Sequence, residues 1–108
     1  MGIYELCDDD DFVNILNKSN TVYAMVDFYA PWCRPCKKLL PDLEIISEKY
    51  SDITFIKINV DEHEEIADKY QITSIPSILV FSTKNIEIEE KITNCSVKEI
   101  TKLCKKYE

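Results

Sequence analysis

Two cysteines separated by two residues, Cys33-Arg34-Pro35-Cys36, are the residues of this 108-residue chain best placed to do chemistry. Thiols three positions apart on a helix lie on one face and within bridging reach, so the pair can cycle between dithiol and disulfide. Cys33 stands where an apolar run, Val22 to Ala30, gives way to a helical pattern. The free N–H groups of a helix start stabilise a thiolate, the reactive form of cysteine. Pro35 lacks an N–H, which costs little in a first turn. A Cys-x-x-Cys is also half of a zinc site, but zinc needs a second pair or Cys/His partners at suitable spacing. Cys7, Cys95, Cys104 and His63 form no such pattern. Redox chemistry is therefore expected, and a metal is not.

The elements that must position this pair can be read from periodicity. Ile3 to Leu6 alternates as a short first strand, and Asp8 to Asp11 place carboxylates ahead of Phe12, Ile15 and Leu16, which share a helical face. Val22 to Ala30 is β-prone and nearly all apolar, as in a strand covered on both faces. From Cys33 the period changes: Cys36, Leu39, Leu40, Leu43 and Tyr50 line one helical face, with Pro41 expected to kink the helix. Ile53 to Val60 reads as a second buried strand and His63 to Tyr70 as a short helix. Ser77 to Phe81 and Ile86 to Ile92 read as a hairpin whose outer strand sets Ile86, Ile88 and Ile92 against Glu87, Glu89 and Lys91. Ser96 with Glu99 makes a capping box, and Val97, Ile100, Leu103 and Tyr107 stripe a last helix with lysines near its negative end. The order βαβαβαββα predicts an α/β domain spanning residues 1–108, its early strands parallel and its late ones antiparallel.

Charge and composition narrow the function. A net charge of −7 argues against nucleic acid or an anionic membrane as partner, and the apolar runs are too short to span a bilayer. No basic-then-apolar leader opens the chain, so a cytoplasmic protein is expected and the sequons at Asn17 and Asn94 read as chance. Five cysteines with a single close pair fit reducing surroundings better than a secreted disulfide scaffold. Asp27 interrupts a buried strand, where an unpaired carboxylate is costly, which favours a functional role over a satisfied structural one. His63, among acidic neighbours, reads as a solvated helix-start residue rather than a base, and Cys104 as an inert core thiol. Cys7 and Cys95 lean towards structural roles, with oxidisable surface thiols as the alternative.

The segment Val26-Asp27-Phe28-Tyr29-Ala30-Pro31-Trp32-Cys33-Arg34-Pro35-Cys36-Lys37 resembles the active-site block of the thioredoxin family. Pro41 matches that family's helix proline, Phe55 to Asp61 its following strand, and Ile72 through Ile75-Pro76-Ser77 its cis-proline segment. The resemblance covers nearly the whole chain in order. It implies a central mixed five-stranded sheet flanked by four helices, and a general protein-disulfide reductase serving electron transport and cell redox homeostasis. It implies Cys33 as the exposed nucleophile and Cys36 as the resolving thiol facing the interior, with a reversible disulfide between them. Asp27 would carry the proton of Cys36, with Lys57 as its charge partner. Trp32, Arg34, Pro35, Ile75 and Pro76 would receive the substrate, the last across a cis bond. No cofactor would be bound: NADPH and FAD would act through a partner thioredoxin reductase. Peroxiredoxins, methionine sulfoxide reductase and ribonucleotide reductase would be clients of a monomer.

The chain departs from the family pattern at Arg34, where glycine is usual, and at Tyr29, often tryptophan. Gly2 is its only glycine, so the family's glycines in the late hairpin and after the last strand are replaced, by Asn85 and by Thr93 or Asn94. Two rivals follow: a binding module in which the redox pair is incidental, and an oxidase or isomerase tuned by the Arg34-Pro35 dipeptide.

Overall fold

Continuous β-branched and aromatic runs form the middle of a sheet, and amphipathic segments cover it. The computed structural model describes residues 2–108. Its strands are β1 (Tyr4–Glu5), β2 (Tyr23–Tyr29), β3 (Ile53–Asn59), β4 (Ser77–Ser82) and β5 (Glu87–Thr93). Its helices are α1 (Phe12–Lys18), α2 (Arg34–Lys49), α3 (Glu64–Lys69) and α4 (Val97–Tyr107), with a 3-10 turn over Asp9–Asp11 before α1. The sheet order is β1-β3-β2-β4-β5, with β1, β3 and β2 parallel and β4 and β5 antiparallel.

β2 lies in the centre of this sheet, which explains its nearly unbroken apolar sequence. On one face Met25, Phe55, Ile78 and Val80 pack under Leu39, Leu43 and Ile46 of α2 and Ile100, Leu103 and Cys104 of α4. On the other Ala24, Val26, Phe28, Ile58 and Phe81 pack against Phe12 and Leu16 of α1 and Ile66 of α3. Each large side chain so buried contributes about 1.5–3 kcal/mol. α2 runs unbroken past Pro41, and Leu40 is only half-buried, its place in the core taken by Ile46. At α4 the capping box forms as expected: Glu99 N–H donates to Ser96 Oγ at 3.3 Å, and Ser96 N–H to Glu99 Oε1 at 3.0 Å.

The outer hairpin strand corrects the sequence reading. The register slips between Val80 and Phe81, so that Val80 faces Glu90 while Phe81 faces Ile88. This bulge inserts one residue, Glu89, and reverses the alternation beyond it. Ile86 packs with Phe81 on the α1/α3 face, whereas Ile92 packs on the α2/α4 face. Ile86, Ile88 and Ile92 therefore do not share a face. The positive φ values in this region fall at Ile86 (55°) and Asn94 (49°), so Asn85 and Thr93 do not take the glycine-like conformation. A β-branched residue with positive φ is a strained choice, and Ile86 is nonetheless half-buried against the core.

Candidate functional site

The end of β2 builds the site. Cys33 N–H donates to the Ala30 carbonyl at 3.1 Å, turning the chain into α2. Cys33 is the N-cap, its backbone extended (φ −79°, ψ 110°), and its sulfur accepts the Cys36 N–H at 3.3 Å. The Lys37 N–H reaches the Cys33 carbonyl at 3.1 Å as the first helical bond. Pro35 occupies the first turn, where its missing donor is not needed. Cys33 and Cys36 are joined as a disulfide with their Cα atoms 5.3 Å apart. A helix amide directed at the Cys33 sulfur favours a thiolate there once that bond opens.

The resemblance implies an exposed Cys33 and an interior Cys36. The structure covers them alike, at 4% and 5% exposure. What separates them is their surroundings: Cys33 Sγ holds the helix amide and lies 4.0 Å from the Ile75 carbonyl.

The Ile75–Pro76 bond beside the pair is cis. α3 ends in a left-handed turn at Gln71 (φ 55°), where Gln71 N–H donates to the Asp68 carbonyl and Ile72 N–H to the Ala67 carbonyl. This double closure is a Schellman motif, here without glycine, and it directs the chain back towards the cysteines. The Pro76 carbonyl is taken by the Asn94 N–H at 2.9 Å. Among the described residues, the Ile75 amide and carbonyl make no backbone hydrogen bond. An extended peptide could pair with them as an added strand. Trp32 flanks the same surface at 69% exposure, its Nε1–H bonded to Asp61 Oδ2 at 2.9 Å. Asn59 in turn fixes Asp61, accepting its N–H at 2.9 Å through Oδ1. Arg34 and Pro35 are exposed.

Asp27, within β2, is 4% exposed, and among the described residues its Oδ1 has no hydrogen-bond partner. Burial pushes its carboxyl up to about 7, against a smaller opposing pull from the Lys57 ammonium. Lys57 is opposite Asp27 in the β2–β3 register, but its ion pair is with Glu5, at 3.8 Å. Tyr29 O–H donates to the other oxygen of Glu5 at 2.6 Å.

His63 overturns the solvated reading. It is 4% exposed, with Nδ1 against Asp9 and Nε2 3.0 Å from the Leu6 carbonyl. The ring thus ties the segment before α1 to the start of α3, a packing role that local acidity in the sequence concealed. Cys104 is fully buried as expected, and burial pushes both it and Cys95 up to about 11. Cys95 is buried, in keeping with a structural role, whereas Cys7 is exposed, which fits the surface-thiol alternative for that residue. No group of three or more His, Cys, Asp or Glu among the described residues is arranged to hold a metal. Sequence reasoning missed Glu5, Asn59, Asp61 and the Tyr29 hydroxyl. Only the strand register brings them to the site, and no local pattern carries that register.

The profile of the family described as Thioredoxin matches residues 4–107. A thioredoxin of Mycoplasma genitalium is 49% identical over 58 residues, 54% of this chain, and the match spans only 57% of that relative's length. Thioredoxin 1 of Plasmodium falciparum is 35% identical over 97 residues, covering 90% of this chain and 89% of the relative. The crystal structure of reduced Schistosoma mansoni thioredoxin pre-protein superposes with a TM-score of 0.91 at 32% identity, each chain covered completely.

Proposed function

This chain belongs to the thioredoxin family, and on that premise we propose that it reduces protein disulfides by thiol–disulfide exchange at Cys33 and Cys36. The observation that carries the reading is a disulfide at a helix start, beside a backbone edge at Ile75 that, among the described residues, makes no backbone hydrogen bond. In the reduced protein the Cys33 thiolate attacks one sulfur of a client disulfide. The client S–S bond breaks, its other sulfur leaves as thiolate, and a mixed disulfide forms. Cys36 gives its proton to Asp27 and attacks the Cys33 sulfur. The second client sulfur leaves, so two electrons pass to the client and the internal disulfide closes. A carboxyl poised near 7 suits that proton exchange at neutral pH.

Lys57 modulates Asp27 by charge. Trp32, Arg34 and Pro35 form one wall of the client surface, and Ile75 with Pro76 forms the strand-pairing edge. The clients are disulfide-bearing proteins such as peroxiredoxins, methionine sulfoxide reductase and ribonucleotide reductase. A flavin-dependent thioredoxin reductase returns the electrons from NADPH, in the cytoplasm, to a monomeric single domain. Incubation with NADPH, thioredoxin reductase and insulin tests this directly. NADPH oxidation should depend on the chain and vanish in Cys33→Ser; oxidation that persists at the same rate in Cys33→Ser would rule the reading out.

A further inference from the structure

The buried carboxyl of Asp27 and the ammonium of Lys57 are register partners on adjacent strands, yet they do not form the ion pair. Lys57 instead reaches Glu5 Oε1 on the edge strand β1, at 3.8 Å. Glu5 is held from a second side, where Tyr29 O–H donates to its Oε2 at 2.6 Å. The Lys57 ammonium also sits 5.8 Å from the centre of the Tyr29 ring, whose face attracts cations. Three side chains from β1, β2 and β3 thus close a small polar cluster beside Asp27, and Asp27 Oδ1 is left without a partner. We propose that Glu5 and Tyr29 are positioning residues that draw the Lys57 ammonium aside and so weaken its hold on the Asp27 carboxylate.

The proposal rests on the reading of Asp27 as the proton acceptor for Cys36. Its physical logic is competition for one cation. An ammonium fully given to Asp27 would hold that carboxylate charged well below neutral pH and make it a weaker base for the Cys36 proton. Shared with Glu5, it leaves burial dominant. The negative charge of Glu5 acts in the same direction, so both effects oppose ionisation of Asp27. The other titratable groups that feel the carboxyl are the Cys95 thiol before α4, kept uncharged by burial, and the Tyr29 phenol, which burial and then the Glu5 bond push further above its usual range.

The test follows Asp27 by carboxyl-carbon NMR in the oxidised protein, in which the wild type should titrate near 7. Glu5→Gln should move the midpoint down by about half a pH unit, the scale for a partly exposed pair. Tyr29→Phe should move it the same way by less. In a Lys57→Gln background, where the midpoint rises, adding Glu5→Gln should change it by no more than about a third of that amount. An unmoved midpoint in Glu5→Gln, or an equal movement without Lys57, would overturn the proposal. The pH profile of mixed-disulfide resolution is measured on the same variants. A midpoint that moves while this profile stays fixed upholds the role of Glu5 and instead removes Asp27 from proton transfer.

Discussion

Asp27 combines a cost to the fold with a use in the reaction. Its folded value, about 7, lies above the ordinary 3.8, so the folded state binds the proton more tightly than the unfolded chain does. The group then destabilises the fold progressively as pH rises from about 4, and the loss is complete above about 7. A pKa unit corresponds to 1.36 kcal/mol, so the full cost is on the order of 4 kcal/mol as an upper bound. Asp27→Asn should therefore stabilise the oxidised protein by a few kcal/mol at pH 8 and by little at pH 4, measured by denaturant unfolding across that range. The same substitution should slow resolution of the mixed disulfide near and above neutral pH, where the carboxylate is ionised while Cys36 is still a thiol. A stability gain that does not grow with pH would contradict the assigned ionisation. Asp27 was visible in the sequence because a carboxylate in an apolar strand is conspicuous. Glu5 was not, because one more glutamate in a half-exposed strand carries no signal until β1 is placed beside β3.

Among the elements, helix ends were the most legible, since their chemistry is local. Ser96 and Glu99 close the box that their spacing announced, and Ser96→Ala should cost about 1 kcal/mol. For a domain of this size that lowers the melting temperature by about 4–8 °C, while disulfide exchange at Cys33 is unchanged. A calorimetric shift below 1 °C would mean that α4 is held by its apolar face alone. The strands were legible as segments but not as faces. The bulge at Glu89 leaves no mark in the alternating sequence, since an inserted residue and a regular one look the same until the partner strand is known. His63 failed for the same reason: its partners Asp9 and Leu6 are more than fifty positions away, and its near neighbours are acids in solvent.

At the scale of the whole molecule, the two-faced sheet is what makes the redox pair usable. Parallel β1, β3 and β2 bring the end of β2 to one edge of the molecule, where α2 begins, and antiparallel β4 starts at Ser77 against Phe28. The cis segment must therefore run beside the cysteines. That architecture was foreseeable from the order of strand and helix patterns, together with the block from Val26 to Lys37. The measurement that tests the account most directly is capture of the intermediate. Cys36→Ser, mixed in reduced form with insulin, should accumulate a covalent adduct that peptide mass spectrometry maps to Cys33 and that dithiothreitol releases. Cys33→Ser should form none. An adduct on Cys36 in Cys33→Ser, or normal turnover of Cys36→Ser with NADPH and thioredoxin reductase, would contradict the two-cysteine mechanism.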